Sequence, residues 1–597
     1  MDSNNPLGEQ SPNPVVRKDE GRVILQIQSG LAIAATRRKD KQFHNLHSLL
    51  WRREWLNQAL EAVLDNTGAK TSGVDGVCGA DLHEPSARAR FVEELRTELR
   101  QHTYRPSSVL RKYIPKANGK ERPIGIPTIR DRVVQMVLKM VLEPIFEADF
   151  LPNSNGFRPE RSTLECVLPM YRYGDNTRRY EWVIEGDIEG CFDNIDHGIL
   201  MEAVQKRIAD NNVLWLIRRF LKAPVIDEGI QTKTHKGTPQ GGVLSPLLAN
   251  IYLNEFDQFW HENWGKLTAI QKSERRKKGQ ASCVLFRYAD DFILSVKGTK
   301  EQAVVIMDSI RSFFTEKLKL SLSAEKTRVV SLEQGFDFLG FRIQRVQLRP
   351  DHACVRIRPT QRNLSRLKTK MQLMLGPNTR SDDPQMKVAA LNRVLRGWAN
   401  YYKAVNAHDQ FRTGDFLAWL LFQKWYCRKY QIGIRKYLST VQATGRVVIR
   451  RGSLQVELFR MASNKSMHTS LNHQSVWKYR SIKNPYINAT NPVTNIPEVH
   501  DNLLPDVPEV QPIAPDYDEV YLSNRLLAFE RDGWKCIQCG SRDQLQAHHI
   551  EPIPKGQFNP LVIHRVDNLR TLCATCHSGL SRNPRAEIVQ SPPSPVE

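Results

Sequence analysis

The sequence predicts a multidomain α+β chain, and three observations carry this prediction. Short apolar runs typical of strands flank an acidic turn within residues 286–292. A strongly basic region with helical periodicity covers residues 351–460. Two Cys-x-x-Cys pairs follow an acidic, proline-rich stretch near the C-terminus. With 597 residues, 40% of them hydrophobic, the chain is long enough for several cores.

Charge and cysteine usage narrow the classes of partner and compartment. The net charge of +22 indicates a polyanionic partner, above all nucleic acid. An anionic membrane surface is the alternative, but no strongly amphipathic basic helix supports it. No run of about 18 apolar residues is present, so no transmembrane helix is predicted. Six scattered cysteines and an N-terminus without a targeting pattern predict a bacterial cytoplasm, in association with the nucleoid, rather than an organelle.

The acidic turn predicts a β-hairpin with Asp290 and Asp291 at its tip. Paired carboxylates without neighbouring His or Cys suit hard cations such as Mg²⁺. Two such ions, about 3.5–4 Å apart, clamp both oxygens of an in-line phosphoryl transfer. For this segment alone, a solvated turn is the competing interpretation, because Asp is common in turns.

A second strand-like run, residues 182–188, places Asp187 near its end, where a neighbouring strand would bring it against Asp290. These segments together resemble the reverse transcriptases in identity and in order. The matching motifs are Asp187-Ile188 with Cys191-Phe192-Asp193, Gly237-Thr238-Pro239-Gln240-Gly241-Gly242 with Leu244-Ser245-Pro246, and Tyr288-Ala289-Asp290-Asp291. The resemblance implies a right-hand polymerase whose fingers and palm, with a mixed sheet, occupy residues 41–350. It implies Asp187 and Asp290 as Mg²⁺ ligands and Asp291 as a further catalytic residue.

The same resemblance assigns contacts to the incoming deoxynucleotide. Lys116 and Arg122 lie on a predicted basic hairpin, residues 113–123, which in the family covers the triphosphate. Phe192 would exclude a ribose 2′-OH, and Gln240 would border the nascent base pair. A solvated basic hairpin is the competing interpretation of residues 113–123, and a core aromatic is the competing interpretation of Phe192.

Several other segments carry weaker predictions. Residues 71–76 resemble an N-terminal block found in the reverse transcriptases of group II introns, and residues 155–159 resemble a block that supports the template path. Lys326 is expected to approach the triphosphate. The basic run 272–278 predicts an exposed loop, either solvated or in contact with RNA. Residues 1–40 are expected to be a mobile segment.

Most of the positive charge lies in residues 351–460, which hold 21 lysines and arginines against 6 acidic residues. Basic helices bind phosphates, and aromatic side chains stack on bases. A helical bundle in which the aromatic side chains are core residues is the competing interpretation. Residues 391–402 resemble the maturase domain, called X, of group II intron proteins, which implies a helical thumb. The candidate RNA-binding residues are Arg393, Arg396, Lys424, Arg428 and Lys429.

Two segments separate this region from the C-terminal module. Residues 461–490 carry four basic residues and no acidic ones, and in the family this position holds a small DNA-binding segment. Residues 491–520 carry seven acidic residues, six prolines and no basic residue, which predicts an extended linker.

Residues 521–585 predict a small zinc-stabilised nuclease module. Four thiolates in two Cys-x-x-Cys pairs form a closed tetrahedral Zn²⁺ site, and a zinc ribbon without chemistry is the competing interpretation. These thiolates are Cys536, Cys539, Cys573 and Cys576. The remaining polar residues resemble the ββα-metal motif of HNH endonucleases. The resemblance implies His548 and His577 as ligands of a divalent metal, His549 as general base, and Asn568 as the residue that orients the motif.

The chain is thus identified as a member of the group II intron-encoded proteins. The resemblance implies intron RNA, target DNA and deoxynucleoside triphosphates as partners, two Mg²⁺ at the polymerase site, one at the nuclease site, and one structural Zn²⁺. It implies assistance to splicing, target-primed copying of the inserted intron, and nicking of the second DNA strand. A retron-like or defence reverse transcriptase, or a splicing-only maturase with decayed sites, are the alternatives. The Gly397-Trp398 signature and the HNH motif argue against the first, and the intact acidic triad argues against the second.

Overall fold

The structure is a computed structural model that describes residues 14–115, 119, 121–174, 179–349, 352–441, 446–451, 454–463 and 484–487, and parts of the chain between 528 and 576. The described residues up to 487 form one compact unit, and those from 528 onward belong to a second. Among the described helices, none is long and apolar enough to cross a membrane.

A four-stranded antiparallel sheet, here called the central sheet, organises the first unit. Its order is β6-β7-β3-β8. The strands are β3 (Trp182–Asp187), β6 (Ser282–Tyr288), β7 (Asp291–Lys297) and β8 (Arg328–Ser331). The predicted hairpin is confirmed as β6 and β7, joined by a two-residue turn.

Each face of the central sheet is covered by its own core, which explains why its strands are almost continuously apolar. Successive side chains on a strand point to opposite faces. Along β7, Phe292 and Leu294 accordingly join one core while Ile293 joins the other. On β3, Ile184 joins the same core as Phe292, and Val183 joins the same core as Ile293. The position of Asp187 is therefore fixed by two cores.

The first of these cores is formed mainly by helices, with α5 at its centre. The helices before residue 320 are α1 (Pro14–Arg37), α2 (His47–Leu50), α3 (Arg53–Leu64), α4 (Pro85–Arg100), α5 (Ile129–Glu147), α6 (Leu164–Val167), α7 (Met170–Tyr173), α8 (Cys191–Asn194), α9 (His197–Gln205), α10 (Asn211–Leu221), α11 (Ser245–Trp260), α12 (Ala269–Lys277) and α13 (Lys300–Lys317). A five-residue π-helix, His261–Gly265, extends α11.

Two expectations are wrong. The segment 1–40 is predicted to be mobile, but residues 14–37 form α1, because Ile24, Leu31 and Ala35 recur at helical spacing and are buried. Residues 1–13 lie outside the described residues. The basic run 272–278 was expected to be a loop, but most of it lies in α12. Thr268 and Gln271 form a capping box that starts this helix, and the long side chains that follow have good helix propensity. None of its side chains is buried.

A second, mixed sheet has the order β2-β1-β4-β5. Its strands are β1 (Val109–Pro115), β2 (Glu121–Ile126), β4 (Val225–Asp227) and β5 (Ile230–Thr232). The antiparallel pair of β1 and β2 confirms the predicted strand–turn–strand of residues 113–123, and β4 runs parallel to β1.

The basic region folds mainly into helices, as predicted, but it also contains three strands that were not predicted. Strands β9 (Phe336–Phe338), β10 (Phe341–Arg349) and β11 (His352–Pro359) lead into α14 (Gln361–Met374), α15 (Pro384–Tyr402), α16 (His408–Tyr430) and α17 (Ile434–Val441), and β12 (Val448–Arg451) pairs with β13 (Leu454–Glu457). Tyr402 and Trp425 are buried in the second core. Several of the interleaved aromatics are therefore core residues, and the cations lie outside them.

A short turn at residues 484–487 returns the chain to α5. The hydroxyl group of Tyr486 donates to Glu143 Oε2 at 2.7 Å, and the turn is closed by a hydrogen bond from the Ile487 amide to the Asn484 carbonyl. Glu143 is buried. The last described segment of the first unit is thus attached to its central helix.

In the second unit, β14 (Leu545–His549) pairs antiparallel with β15 (Leu569–Cys573). The Ile537 amide donates to the Thr571 carbonyl at 3.0 Å, and the Thr571 amide donates to Asp532 Oδ2 at 2.9 Å. The first Cys-x-x-Cys turn is thereby attached to β15. The predicted linker, residues 491–520, lies outside the described residues.

Replacing Arg158 with Met is expected to lower the free energy of unfolding by about 3–5 kcal/mol. The Arg158 guanidinium pairs with both oxygens of Glu147, and their side chains are 3% and 2% exposed, so the substitution leaves a buried carboxylate without its partner. Thermal denaturation of the full-length protein measures the change. Arg96→Met is the matched control, because its pair with Glu93 is partly exposed and contributes about 1 kcal/mol or less. Equal shifts for both variants would contradict this prediction.

Candidate active site

Three carboxylates meet at one end of the central sheet. Strand β3 ends at Asp187, β7 begins at Asp291, and the register places these two residues directly opposite each other. Asp290 lies in the turn immediately before β7. The sequence prediction that a neighbouring strand brings Asp187 to the acidic hairpin is therefore confirmed.

The turn that carries Asp290 is tightly enclosed. Ala289 has φ +57°, in the left-handed region that two-residue hairpin turns require. A Cβ atom at Gly156 would lie 2.2 Å from the Ala289 nitrogen, so only glycine permits the neighbouring loop to approach so closely. The backbone of Arg287 donates to the Asn153 carbonyl and accepts from the Asn155 amide. Loop 153–156, which overlaps the block 155–159 that resembles a template-path support, thus lies against the acidic hairpin.

A buried polar network lies beneath the turn, and sequence reasoning missed it. Arg287 and Asp257 form an ion pair whose side chains are both fully buried. The guanidinium also donates to Asn250 Oδ1, to Ser154 Oγ and to the carbonyl of Ala289. A signal was present in the sequence, because Asn250 and Asp257 are seven residues apart on the apolar face of α11, where polar residues need a partner.

The carboxylates perturb one another. Burial, together with the negative charge of Asp187, raises the pKa of Asp290. Asp291 retains substantial solvent exposure, yet desolvation by the surrounding protein and the charges of Asp290 and Asp187 raise its pKa to about 7. Lys326 Nζ donates to Asp187 Oδ2 at 2.8 Å, and this hydrogen bond raises the pKa of Lys326. Perturbed carboxyl groups gathered at a cleft are typical of catalytic sites.

Asp187, Asp291 and Lys326 line a cleft of about 330 Å³. Glu185 and Arg328, which form an ion pair, lie on its wall together with Phe338. The cleft is open to solvent next to the carboxylates. It therefore offers room for a charged ligand beside them.

A chain of hydrogen bonds crosses from β2 to the segment after β3. Arg122 Nε donates to Gln240 Oε1 at 3.0 Å, and Gln240 Nε2 donates to Asp193 Oδ2 at 2.8 Å. The Gly125 amide also donates to the Gln240 carbonyl. Two of the predicted nucleotide-binding residues are thus in contact, and Asp193 joins them although no role was predicted for it. Lys116 lies outside the described residues.

Phe192 is mostly buried, with 9% exposure, and its ring meets that of Phe157 edge to face at 6.3 Å. Its carbonyl accepts a hydrogen bond from the Thr238 amide at 2.7 Å. The aromatic side chain and the glycine-rich segment that bears Gln240 are therefore held together through their backbones. Both interpretations of Phe192, as a core residue and as a boundary of the nucleotide site, are compatible with this position.

The candidate RNA-binding residues lie on α15 and α16. Arg393, Arg396, Lys424 and Arg428 are exposed. Lys429 is half-buried and donates to the carbonyl groups of Arg380 and Ser381, so part of its hydrogen-bonding capacity is used within the protein. Four of the five cations are thus available on the surface.

In the second unit, the Sγ atoms of Cys536, Cys539 and Cys576 lie within 4.8 Å of one another. This cluster is compatible with a zinc site. Cys573 ends β15 and His548 and His549 end β14, but the side chains of these three residues lie outside the described set. Asn568 and His577 also lie outside the described residues.

Comparison with known families assigns each region. Residues 114–343 match the family Reverse transcriptase (RNA-dependent DNA polymerase). Residues 364–438 match the maturase-specific domain of group II introns. Residues 536–582 match the HNH endonucleases. The fold and site thus define an RNA-directed DNA polymerase that also carries a maturase domain and an endonuclease domain.

Individual relatives agree with this assignment. The chain is 40% identical to Protein YkfC of Escherichia coli over 352 residues, which are 55% of this chain and 90% of YkfC. It is 35% identical to the group II intron-encoded protein LtrA of Lactococcus lactis over 351 residues, which are 51% of this chain and 57% of LtrA. It is 28% identical to "Nuclear intron maturase 1, mitochondrial" of Arabidopsis thaliana, over 38% of this chain and 42% of that protein. The chain belongs to the family of group II intron-encoded proteins.

Asp291→Asn is expected to raise the melting temperature of the Mg²⁺-free protein more at pH 8 than at pH 5. An unfolded Asp has a pKa of about 4, whereas the folded-state pKa of Asp291 is about 7. The cost of its charge is therefore absent below about pH 4, grows up to about pH 7 and is complete above it. Thermal scans at both pH values measure the effect, with Asp337→Asn as an exposed control from the same cleft. A shift for Asp291→Asn that does not depend on pH would contradict the prediction.

Proposed function

We propose that this protein binds its intron RNA and assists splicing, copies the inserted intron by target-primed reverse transcription, and nicks the second DNA strand. One observation carries the polymerase part of this proposal. The register of β3 and β7 sets Asp187 opposite Asp291 and beside Asp290, at the mouth of the cleft. Carboxylates at the end of a rigid sheet are what a divalent-metal phosphoryl transfer requires.

The donor set at this site fits Mg²⁺. The register brings the carboxylates Asp187 and Asp291 to this sheet end, next to Asp290, and carboxylate oxygens are the ligands that hard divalent cations prefer. Asp187 and Asp290 would hold the ions and Asp291 would support them. Mg²⁺ held by these residues would supply Lewis-acid activation of the primer 3′-OH and stabilisation of the charge on the pyrophosphate leaving group. Lys326, which neutralises Asp187 in the structure, then exchanges this carboxylate for oxygens of the triphosphate.

The residues around the carboxylates would select the nucleotide. Arg122, in the fingers, would exchange its hydrogen bond with Gln240 for a contact with the triphosphate. Lys116, on the same hairpin, would also contact the triphosphate. Gln240 would border the nascent base pair. Phe192 would limit the space beside C2′ of the sugar, which favours deoxynucleotides.

The remaining regions would bind RNA and DNA. Residues 41–350 would form the fingers and palm, and residues 351–460 the thumb and maturase X domain. The exposed cations on α15 and α16 would bind intron RNA through its phosphates. Residues 461–490 would contact target DNA, and residues 491–520 would link to the nuclease, residues 521–585.

In the nuclease, Cys573 would complete the Zn²⁺ site begun by Cys536, Cys539 and Cys576. His549 would activate water, His548 and His577 would hold a divalent metal that polarises the scissile phosphate, and Asn568 would orient the motif. The antiparallel pair of β14 and β15 supports this arrangement, since it joins the histidine strand to the strand that ends at Cys573.

The RNA that co-purifies with the full-length protein at moderately high salt tests the maturase part. One dominant, long RNA that contains the protein's own coding frame would support it, and a bacterial host, with the protein at the nucleoid, would fit such a partner. A short RNA encoded beside the gene would support the retron-like alternative. Primer extension distinguishes the splicing-only alternative, because a protein with decayed sites makes no cDNA.

Asp290→Ala is expected to abolish cDNA synthesis and to change intron RNA affinity by less than about threefold. The variant removes a proposed Mg²⁺ ligand, whereas affinity rests on many phosphate contacts elsewhere. Primer extension and filter binding measure the two properties. Asp308→Ala, which removes an exposed carboxylate on α13, is the control and should retain both. Loss of RNA binding in Asp290→Ala would contradict this division of labour.

His549→Ala is expected to abolish nicking of the second DNA strand and to spare splicing and cDNA synthesis, because it removes only the proposed general base. Cleavage of an end-labelled target duplex by the ribonucleoprotein measures it. Asp290→Ala serves as the reciprocal control, since it should nick but not copy. A His549→Ala protein that nicks at the normal rate would remove His549 from this role.

A further inference from the structure

We propose that Arg287 is a positioning residue for DNA synthesis, which fixes the turn that bears Asp290 by holding the carbonyl group of Ala289. The inference rests on the proposed polymerase function and extends it to a residue that does not line the cleft. Arg287 is fully buried, so it acts on the reaction only through the backbone of the turn.

Every nitrogen of the guanidinium has a defined partner. Nε donates to both oxygens of Asp257, at 3.0 and 3.2 Å, and Nη2 donates to Asp257 and to Ser154 Oγ. Nη1 donates to Asn250 Oδ1 at 3.1 Å and to the Ala289 carbonyl at 2.9 Å. The side chain is therefore fixed from several directions, and the nitrogen that reaches the turn is rigidly placed.

The peptide group that Arg287 holds is the one that joins Ala289 to Asp290. Ala289 is a left-handed residue with a Cβ atom, a conformation that costs about 1–2 kcal/mol. Asp290 also faces the like charges of Asp187 and Asp291. Both effects favour displacement of the turn. The bond from Nη1 to the carbonyl opposes that displacement, and Gly156, packed against the Ala289 amide, closes the other side.

The ion pair alone does not account for this arrangement. A buried Arg–Asp pair contributes little net stability compared with apolar residues of similar volume. A Lys or an apolar pair could fill the core, but neither reproduces the planar fork that reaches the Asp257 carboxylate and the Ala289 carbonyl together. An active-site group displaced by about 1 Å can lose about 100-fold in rate, which sets the size of the expected effect.

The double variant Arg287→Met/Asp257→Leu tests the inference, because it removes the charge pair without leaving a buried charge. In the full-length protein, we expect a melting temperature close to wild type and RNA affinity and KM for the nucleotide within about threefold. We expect kcat for primer extension to fall by about 100-fold and the half-saturating Mg²⁺ concentration to rise severalfold. Arg287→Lys should recover part of kcat.

Ser154→Ala is the matched control, since it removes one hydrogen bond of Arg287 but leaves the bond to Ala289, and its kcat should stay within about twofold of wild type. Wild-type kcat and Mg²⁺ dependence in the double variant would overturn the inference. If that variant does not fold, Arg287→Lys decides, and wild-type kcat in it would also overturn the inference. Parallel losses of stability, RNA binding and kcat in the double variant and in Arg287→Lys would show that Arg287 has a purely structural role. A wild-type protein that extends no primer would instead refute the polymerase proposal.

Discussion

Repulsion among three carboxylates is the constraint on which this structure depends. Asp187, Asp290 and Asp291 are brought together at a sheet end, and the raised pKa values of Asp290 and Asp291 express the cost of burying these two carboxylates beside other negative charges. Two kinds of interaction offset it. Lys326 neutralises Asp187 from the solvent side, and the network around Arg287 holds the turn from the buried side. The cores on both faces of the central sheet then prevent the strands from separating to relieve the repulsion.

Catalysis and nucleic-acid binding make opposite demands on charge, and the chain meets them in different places. The proposed catalytic groups are few and close together, so that small displacements matter. The candidate RNA-binding cations are numerous and mostly exposed on α15 and α16, where each contributes a modest, salt-dependent share of the affinity. This separation explains why single substitutions are expected to abolish synthesis while leaving binding nearly unchanged.

Sequence reasoning succeeded where the determining interactions are local. The hairpin of β6 and β7 follows from two apolar runs around a short acidic turn, and the cysteine cluster follows from Cys-x-x-Cys spacing. It failed for α12, because the position of the basic run between two motifs suggested a loop, whereas the capping box at Thr268 starts a helix there. It also failed for Arg287, whose distant partners lie on two segments, α11 and the loop that contains Ser154, so that the polar pair on the apolar face of α11 was the one sequence signal of the network.

The position of Asp187 on β3 has a consequence for how sequences of this kind can change. Because side chains on a strand alternate between faces, inserting or deleting a single residue within 183–186 would exchange the two sets of core residues and turn the carboxylate away from the hairpin. A two-residue change would preserve the alternation while moving Asp187 along the strand. Length variation among functional descendants is therefore expected in the connections, and β3 should keep the same number of residues even where its apolar residues are exchanged.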